Sequence, residues 1–143
     1  MKQLFTIENN NGTAVQPVLS LRLGNHHLGY SITSPGGDVL YSLAYYRTEQ
    51  TDAAALDELM ALNPALKDNF SSVQVAWDFT GNALLSSTDH QPEESGTMLR
   101  ALYGAHGVEA VITENITDWQ IYNVYAVPTD LLQKVQQQYP AAQ

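Results

Sequence analysis

The 143-residue sequence predicts an α/β fold whose mixed sheet begins with three antiparallel strands and continues through alternating strands and helices. Two observations favour this fold class. Residues 18–47 contain three short runs rich in apolar and β-branched side chains, separated by turn-forming segments. Three later segments carry apolar residues at helical spacing. No run approaches the roughly 18 apolar residues that span a bilayer, so the sequence predicts no membrane insertion.

The three leading strands are predicted at residues 18–23, 28–33 and 39–46. The connecting residues 24–27 and 34–38 are rich in Gly, Asn, Ser, Pro and Asp, which favour tight turns, so neighbouring strands should run antiparallel. Residues 1–17 hold an Asn and Gly cluster and no convincing pattern. We expect them to form a loosely structured N-terminal segment.

Helices and strands alternate in the rest of the sequence. Three helices are predicted, at residues 51–62, 93–103 and 129–138. Thr51 or Asp52 is the expected N-cap of the first helix, and Gly104 is the expected stop of the second. Three more strands are predicted, at residues 73–79, 108–113 and 119–127. Residues 80–82 favour a turn that pairs residues 73–79 with 83–85 as a short hairpin.

This order of elements is that of the ribonuclease H-like fold, which also forms each lobe of the actin-like ATPases. We therefore expect a single ribonuclease H-like α/β domain over residues 18–140. The second half can be parallel where a helix joins two strands, because each helix provides a crossover of sufficient length.

Composition limits the function further. The chain has 15 acidic residues against 6 basic ones, for a net charge of −9. The bases are scattered, so no basic stripe for nucleic acid is predicted. The sequence has no cysteine, which excludes disulfides and a cysteine nucleophile. No apolar stretch of signal length begins the sequence, and we expect a cytoplasmic protein.

Three segments carry a resemblance to a known family. They are residues 19–23, 28–32 and 121–132, the last containing Asn-Val-Tyr-Ala-Val-Pro at residues 123–128 ahead of a leucine-bearing helix. In these segments the chain resembles DUF3822, a family of uncharacterised Bacteroidetes proteins similar in fold to actin-like ATPases, including the pilus-assembly members. The resemblance implies two lobes, so this chain is expected to be either a natural short form or an isolated first lobe.

The resemblance also implies a nucleotide cleft. In actin-like ATPases the first hairpin cradles phosphates with backbone N–H groups, and an acid on the first strand helps to hold hydrated Mg²⁺. Here that strand offers Ser20 and Arg22 instead, and an arginine cannot ligate a metal. If Mg-ATP binds, the expected contacts are Gly24, Asn25, His26 and Arg22. The alternative is that residues 24–27 form only a tight turn and bind no ligand.

Two acids and four tyrosines complete the candidates. Asp78 and Glu114 lie near the ends of predicted strands, where ligands gather in open α/β sheets, although turn chemistry explains both. The tyrosines fall on two predicted strands and form a candidate interaction face for a second lobe or another protein: Tyr41, Tyr45, Tyr122 and Tyr125. The alternative is that helices cover these rings.

Three hypotheses remain for the function. The sequence favours a domain without catalytic residues, metal or cofactor that acts through protein–protein contacts in an unknown process. The first alternative is a nucleotide-binding lobe with phosphates at the hairpin of residues 24–27. The second is a metal-dependent hydrolase that uses Asp78 and Glu114, which lacks the first-strand acid that such two-metal chemistry needs.

Overall fold

The computed structural model describes residues 1–10, 12–104 and 109–143. The chain divides into two compact units. The first unit consists of Met1–Asp78 and Gln133–Gln143, and the second of Phe79–Leu132. The sequence predicted one domain over residues 18–140, and those boundaries stay a prediction.

The first unit contains a mixed sheet of five strands. They are β1 (Lys2–Glu8), β2 (Val18–Gly24), β3 (His27–Thr33), β4 (Leu40–Arg47) and β5 (Ser72–Asp78). Their order across the sheet is β1-β4-β3-β2-β5, and every neighbouring pair is antiparallel except β2 and β5, which are parallel. The three predicted leading strands are therefore confirmed as β2, β3 and β4.

The N-terminal strand differs from the prediction. Residues predicted to be loosely structured include β1, which pairs with β4 from Lys2 opposite Arg47 to Glu8 opposite Ser42. The sequence hides this strand because the register shifts between Gln3 and Phe5. Such a bulge breaks the two-residue alternation on which strand prediction depends.

One face of this sheet is the core of the first unit. Alternate residues of β2, β3 and β4 are at most 6% exposed on this face: Leu19, Leu21, Leu23, Leu28, Tyr30, Ile32, Ala44 and Tyr46. The helix α1 (Ala53–Leu62) lies on this side, because its C-cap Asn63 accepts a hydrogen bond from Tyr30 Oη at 2.8 Å and donates one to Tyr46 Oη at 3.0 Å. Asp52 caps the helix by accepting the N–H of Ala55, as predicted.

The helix α3 (Thr129–Gln138) begins in the second unit and ends in the first. Within the first unit, Lys134 Nζ lies 2.7 Å from the Asp57 carboxylate of α1. The buried Tyr139 donates its hydroxyl to the carbonyl of Leu66 at 2.7 Å, and burial raises the pKa of that phenol to about 12. The C-terminal residues are thus fixed against α1 and the turn that follows it.

The second unit is a three-stranded antiparallel sheet with one helix. Its elements are β6 (Asn82–Ser86), α2 (Ser95–Tyr103), β7 (Glu109–Ile116) and β8 (Ile121–Pro128). The sheet order is β6-β8-β7. Leu85, Val124 and Ala126 from the strands and Leu99 from α2 form its buried cluster. Gly104 ends α2 at a positive φ of 79°, as predicted for a C-terminal glycine.

One strand-pairing prediction is wrong. Residues 73–79 and 83–85 do not form a hairpin, since β5 pairs with β2 and β6 pairs with β8. The strands β6 and β7, on either side of α2, run in the same direction, because each is antiparallel to β8. The strands β7 and β8, between which no helix was predicted, are antiparallel. Only residues 117–120 join them, and so short a connection cannot provide a parallel crossover. Residue 108, the predicted start of one strand, lies outside the described residues.

The three helices lie where the sequence predicted them, within two residues at each end. None of the helices among residues 1–10, 12–104 and 109–143 is long and apolar enough to cross a bilayer.

Candidate functional site

The face of the five-stranded sheet opposite α1 is the candidate site, and we call it the open face. Strand register arranges its side chains in three rows that cross the sheet from β1 to β5. The basic row is Lys2, Arg47, His27, Gly24 and Asp78. The aromatic row is Phe5, Tyr45, Gly29, Arg22 and Ala76. The third row is Ile7, Leu43, Ser31, Ser20 and Gln74.

An ion pair occupies the β5 end of the open face. Arg22 Nη2 lies 2.6 Å and its Nε 3.2 Å from Asp78 Oδ2, because β2 and β5 run parallel and in register. His27 Nε2 approaches the same oxygen at 3.2 Å. The hydrogen bond and charge of Arg22 hold the pKa of the Asp78 carboxyl below its usual value. Asp78 is therefore an ionised carboxylate near neutral pH, already bound by two side chains.

Position 24 requires a glycine, because neighbouring strands of the sheet leave no space for a side chain there. A Cβ at this position would lie 2.4 Å from the ring of His27 and 2.8 Å from the backbone oxygen of Asp78. Both distances are shorter than real Cβ contacts, so no larger residue fits without movement. The imidazole of His27 therefore lies over Gly24 on the open face.

The tip of the first hairpin is bonded to the segment that follows β4. The carbonyls of Asn25 and His26 accept the backbone N–H groups of Thr51 at 3.2 Å and Thr48 at 2.9 Å. The His26 ring donates from Nδ1 to the carbonyl of Glu49 at 2.7 Å. Three contacts thus hold residues 25 and 26 against residues 48–51. Phosphate contact at Gly24, Asn25, His26 and Arg22 stays a prediction.

The aromatic row continues the open face towards β1. The ring of Tyr45 stacks on Phe5 at 5.8 Å and on His27 at 5.6 Å between centroids. It also lies over Gly29, where a Cβ would meet the ring at 2.7 Å and the carbonyl of Ala44 at 2.9 Å. Phe5 is nevertheless 48% exposed. The row is ordered by its own stacking but covered by nothing in the described chain.

A groove runs along β3 on this face. It is lined by the small side chains of Ser31, Ser20 and Ala76, and its volume is about 280 Å³. Tyr45 and Leu43 of β4 bound it on one side, and the Tyr45 ring also covers Gly29. Arg22 of β2 bounds it on the other side. A sheet face with a concave apolar centre and a charged end is suited to contact with a convex protein surface.

The four predicted interface tyrosines do not form one face. Tyr41 and Tyr45 lie in β4 of the first unit, four residues apart and so on the same side. Tyr122 and Tyr125 lie in β8 of the second unit on opposite sides of the strand. Tyr122 packs against the buried cluster that includes Leu99. Tyr45 alone is central to the open face.

Asp78 and Glu114 were the predicted metal-binding acids, and they belong to different units. Each has its own partners. Glu114 accepts hydrogen bonds from Tyr125 Oη at 2.9 Å and Asn123 Nδ2 at 3.2 Å, and burial together with this carboxylate raises the pKa of Tyr125. Within the described ranges, no three histidine or acidic side chains come together as a metal ligand set. His106 lies outside those ranges.

The open-face residues that the sequence did not reveal are Lys2, Phe5 and Ile7. All three belong to β1, which was not predicted. The signal that could have found them is the spacing of Phe5 and Ile7 around Thr6, since a β-branched residue between two apolar ones favours a strand. That signal is only three residues long.

The comparisons with known proteins agree with this architecture. No curated protein matches the chain. A crystal structure of a Bacteroides thetaiotaomicron protein with an actin-like ATPase fold and unknown function matches it with a TM-score of 0.77 and 17% sequence identity. The match covers 90% of this chain and 51% of that protein, so the chain spans about half its length.

The fold is therefore that of the actin-like ATPases, as the sequence predicted. The model of the family of proteins of unknown function DUF3822 matches residues 7–143, nearly the whole chain, so the chain belongs to the DUF3822 family.

Proposed function

We propose that this chain is a non-catalytic lobe of actin-like fold that acts by binding protein, either a second lobe or another polypeptide, through the open face. The observation that carries the proposal is the exposure of an ordered apolar surface. Phe5 and Ile7 are each 48% exposed, beside Leu43 and Tyr45, on a sheet whose other face is buried along β2, β3 and β4. The water-facing side of a largely antiparallel sheet is usually polar, so an apolar surface there favours a contact with another protein.

The ion pair at the end of the sheet supports a role without nucleotide. A nucleotide site would need the hairpin groups to be available to phosphate, and Mg²⁺ would need a free carboxylate. Here His27 lies over Gly24, and Asp78 is bound by Arg22. The nucleotide-binding alternative would require these contacts to rearrange, so we propose that the lobe uses no cofactor.

Calorimetry with Mg-ATP tests the absence of nucleotide binding. The expected result is no heat and no thermal shift with the wild-type chain. The variant Arg22→Ala frees the Asp78 carboxylate for a cation and serves as the comparison. Saturable binding of Mg-ATP to the wild-type chain, lost in Gly24→Glu, would contradict the proposal and establish the nucleotide-binding lobe.

Site-specific photo-crosslinking in the natural host tests the contact. A crosslinking amino acid at Leu43 on the open face is expected to yield a discrete protein adduct. The matched control replaces Leu62, which is 56% exposed at the end of α1 and away from the open face. Equal adducts from both positions, or none from Leu43, would show that the open face is not the contact surface.

A further inference from the structure

The groove on the open face has a shape, a length and a charge distribution that define what fits it. Its floor is made by the small Ser31, Ser20 and Ala76, and the longer Tyr45, Leu43 and Arg22 stand beside them as walls. A second flat sheet would bridge the walls and leave the floor empty, whereas a helix is convex and fills such a groove. The shape therefore favours a helix over a second copy of the sheet.

The length of the groove is set by its three rows. Successive rows are two residues apart along β2, β3, β4 and β5, about 7 Å at roughly 3.4 Å per residue. The three rows therefore extend about 14 Å, which a helix covers in roughly 9 or 10 residues at about 1.5 Å each. A helix of about 14 residues would reach beyond both ends.

The charge of the open face is uneven. Two of the six basic residues in a chain of net charge −9, Lys2 and Arg47, lie in the basic row at one end, and Arg22 lies in the neighbouring aromatic row. Arg22 is paired with Asp78, but no ion pair to Lys2 or Arg47 is present within the described residues. Glu49 is the one acid that lines the depression beside them. An acidic group therefore fits best at the Lys2 and Arg47 end.

From these observations we propose that the occupant of the groove is an amphipathic helix of a second polypeptide, lying along β3 with its C-terminal end at Lys2 and Arg47. The C-terminus of a helix carries partial negative charge, and a carboxylate in its last turn adds to it. The apolar stripe of the helix contacts Tyr45 and Leu43. The match covers 51% of the Bacteroides protein, so a protein of that length has polypeptide outside the matched region to supply such a helix. This inference rests on the proposed protein-binding function.

Two synthetic peptides test the orientation and the charge. Both have about 14 residues, an identical leucine stripe and a side-chain staple that keeps them helical. One carries two glutamates in its last turn, and the other carries them in its first turn. Binding is followed by backbone amide chemical shifts of the full chain. The expected result is that the first peptide shifts Gly29, Ser31 and Leu43 and binds about tenfold more tightly than the second.

Four variants make the test specific. Ser31→Trp fills the groove and should abolish binding, and Ser20→Trp does the same from β2 if the first variant folds poorly. Arg47→Glu should remove or reverse the preference between the peptides. Ala61→Trp, at an exposed position of α1, is the control that should bind like the wild-type chain.

Several outcomes would overturn the inference. They are no shifts at about 1 mM peptide, shifts confined to other surfaces, or equal binding of both peptides. Sedimentation that shows a dimer abolished by Ser31→Trp would make a second copy the occupant instead. If Leu43 still crosslinks to a protein while neither peptide binds, the helix is wrong but the contact face stands.

Discussion

The two faces of the five-stranded sheet are built from alternate residues of the same strands, yet they have opposite properties. On β2, Leu19, Leu21 and Leu23 are at most 2% exposed on the covered face, while Ser20 and Arg22 point to the open face. The covered face is mainly aliphatic, with Tyr30 and Tyr46 among the leucines, and it packs beside α1. The open face carries stacked aromatics, a groove and, at one end, basic groups without an ion-pair partner among the described residues.

This difference separates stability from binding within one sheet. Apolar area removed from water stabilises a fold by about 25 cal/mol per Å². Most of the apolar area that this sheet buries on folding belongs to the covered face. Side chains of the open face are still partly in water, so they contribute less to folding. Substitutions on the two faces should therefore have different consequences even when they are neighbours in sequence.

The largest effect is expected on the covered face. Leu21→Ala would leave a cavity among fully buried leucines and should lower the free energy of unfolding by about 2–5 kcal/mol. Urea denaturation followed by circular dichroism measures it. Leu62→Ala, at a position 56% exposed on α1, is the matched control and should change stability by less than about 0.5 kcal/mol. Equal losses would contradict the assignment of the core.

The sequence predicted the covered face better than the open one, for a physical reason. Leu19, Leu21 and Leu23 alternate without interruption, and turn-forming residues bound the strand, so local pattern alone defines it. The open face depends on β1, whose bulge before Phe5 breaks the alternation. The pairing of Arg22 with Asp78 depends on the register of two strands about 50 residues apart, which local pattern does not contain.

Gly29→Ala is expected to have the next largest effect, although Gly29 lies on the open face. The new methyl group would meet the Tyr45 ring at 2.7 Å and the Ala44 carbonyl at 2.9 Å. The ring can move, but the backbone oxygen cannot, so we expect a loss of about 1–3 kcal/mol in unfolding experiments. Gly81→Ala is the control, since its nearest atom would be 3.7 Å away. Equal effects would mean that the close approach over Gly29 is not real.

Alkaline pH should lower the free energy of unfolding, because the buried phenol of Tyr139 ionises. Its pKa is about 12 when folded and about 10 when unfolded, so ionisation favours the unfolded chain as pH rises above 10. The stabilisation is complete below pH 10 and is lost towards pH 12, with about 1 kcal/mol lost by pH 11. Tyr139→Phe should lose less stability than the wild-type chain between pH 9 and pH 11. Parallel pH curves would show that Tyr139 is not buried in its neutral form.

The smallest effect on stability is expected at Ile7, which lies opposite Leu43 at the β1 edge of the open face. Ile7→Thr keeps the β-branched shape that strands favour and removes apolar surface that is already 48% exposed. The free energy of unfolding should change by less than about 0.5 kcal/mol, while crosslinking from Leu43 should weaken because the contact loses an apolar neighbour. A loss above 1 kcal/mol with unchanged crosslinking would make the open face a second core. Unchanged stability together with weaker crosslinking would show that the covered face stabilises the fold and that the open face of the same strands binds the partner.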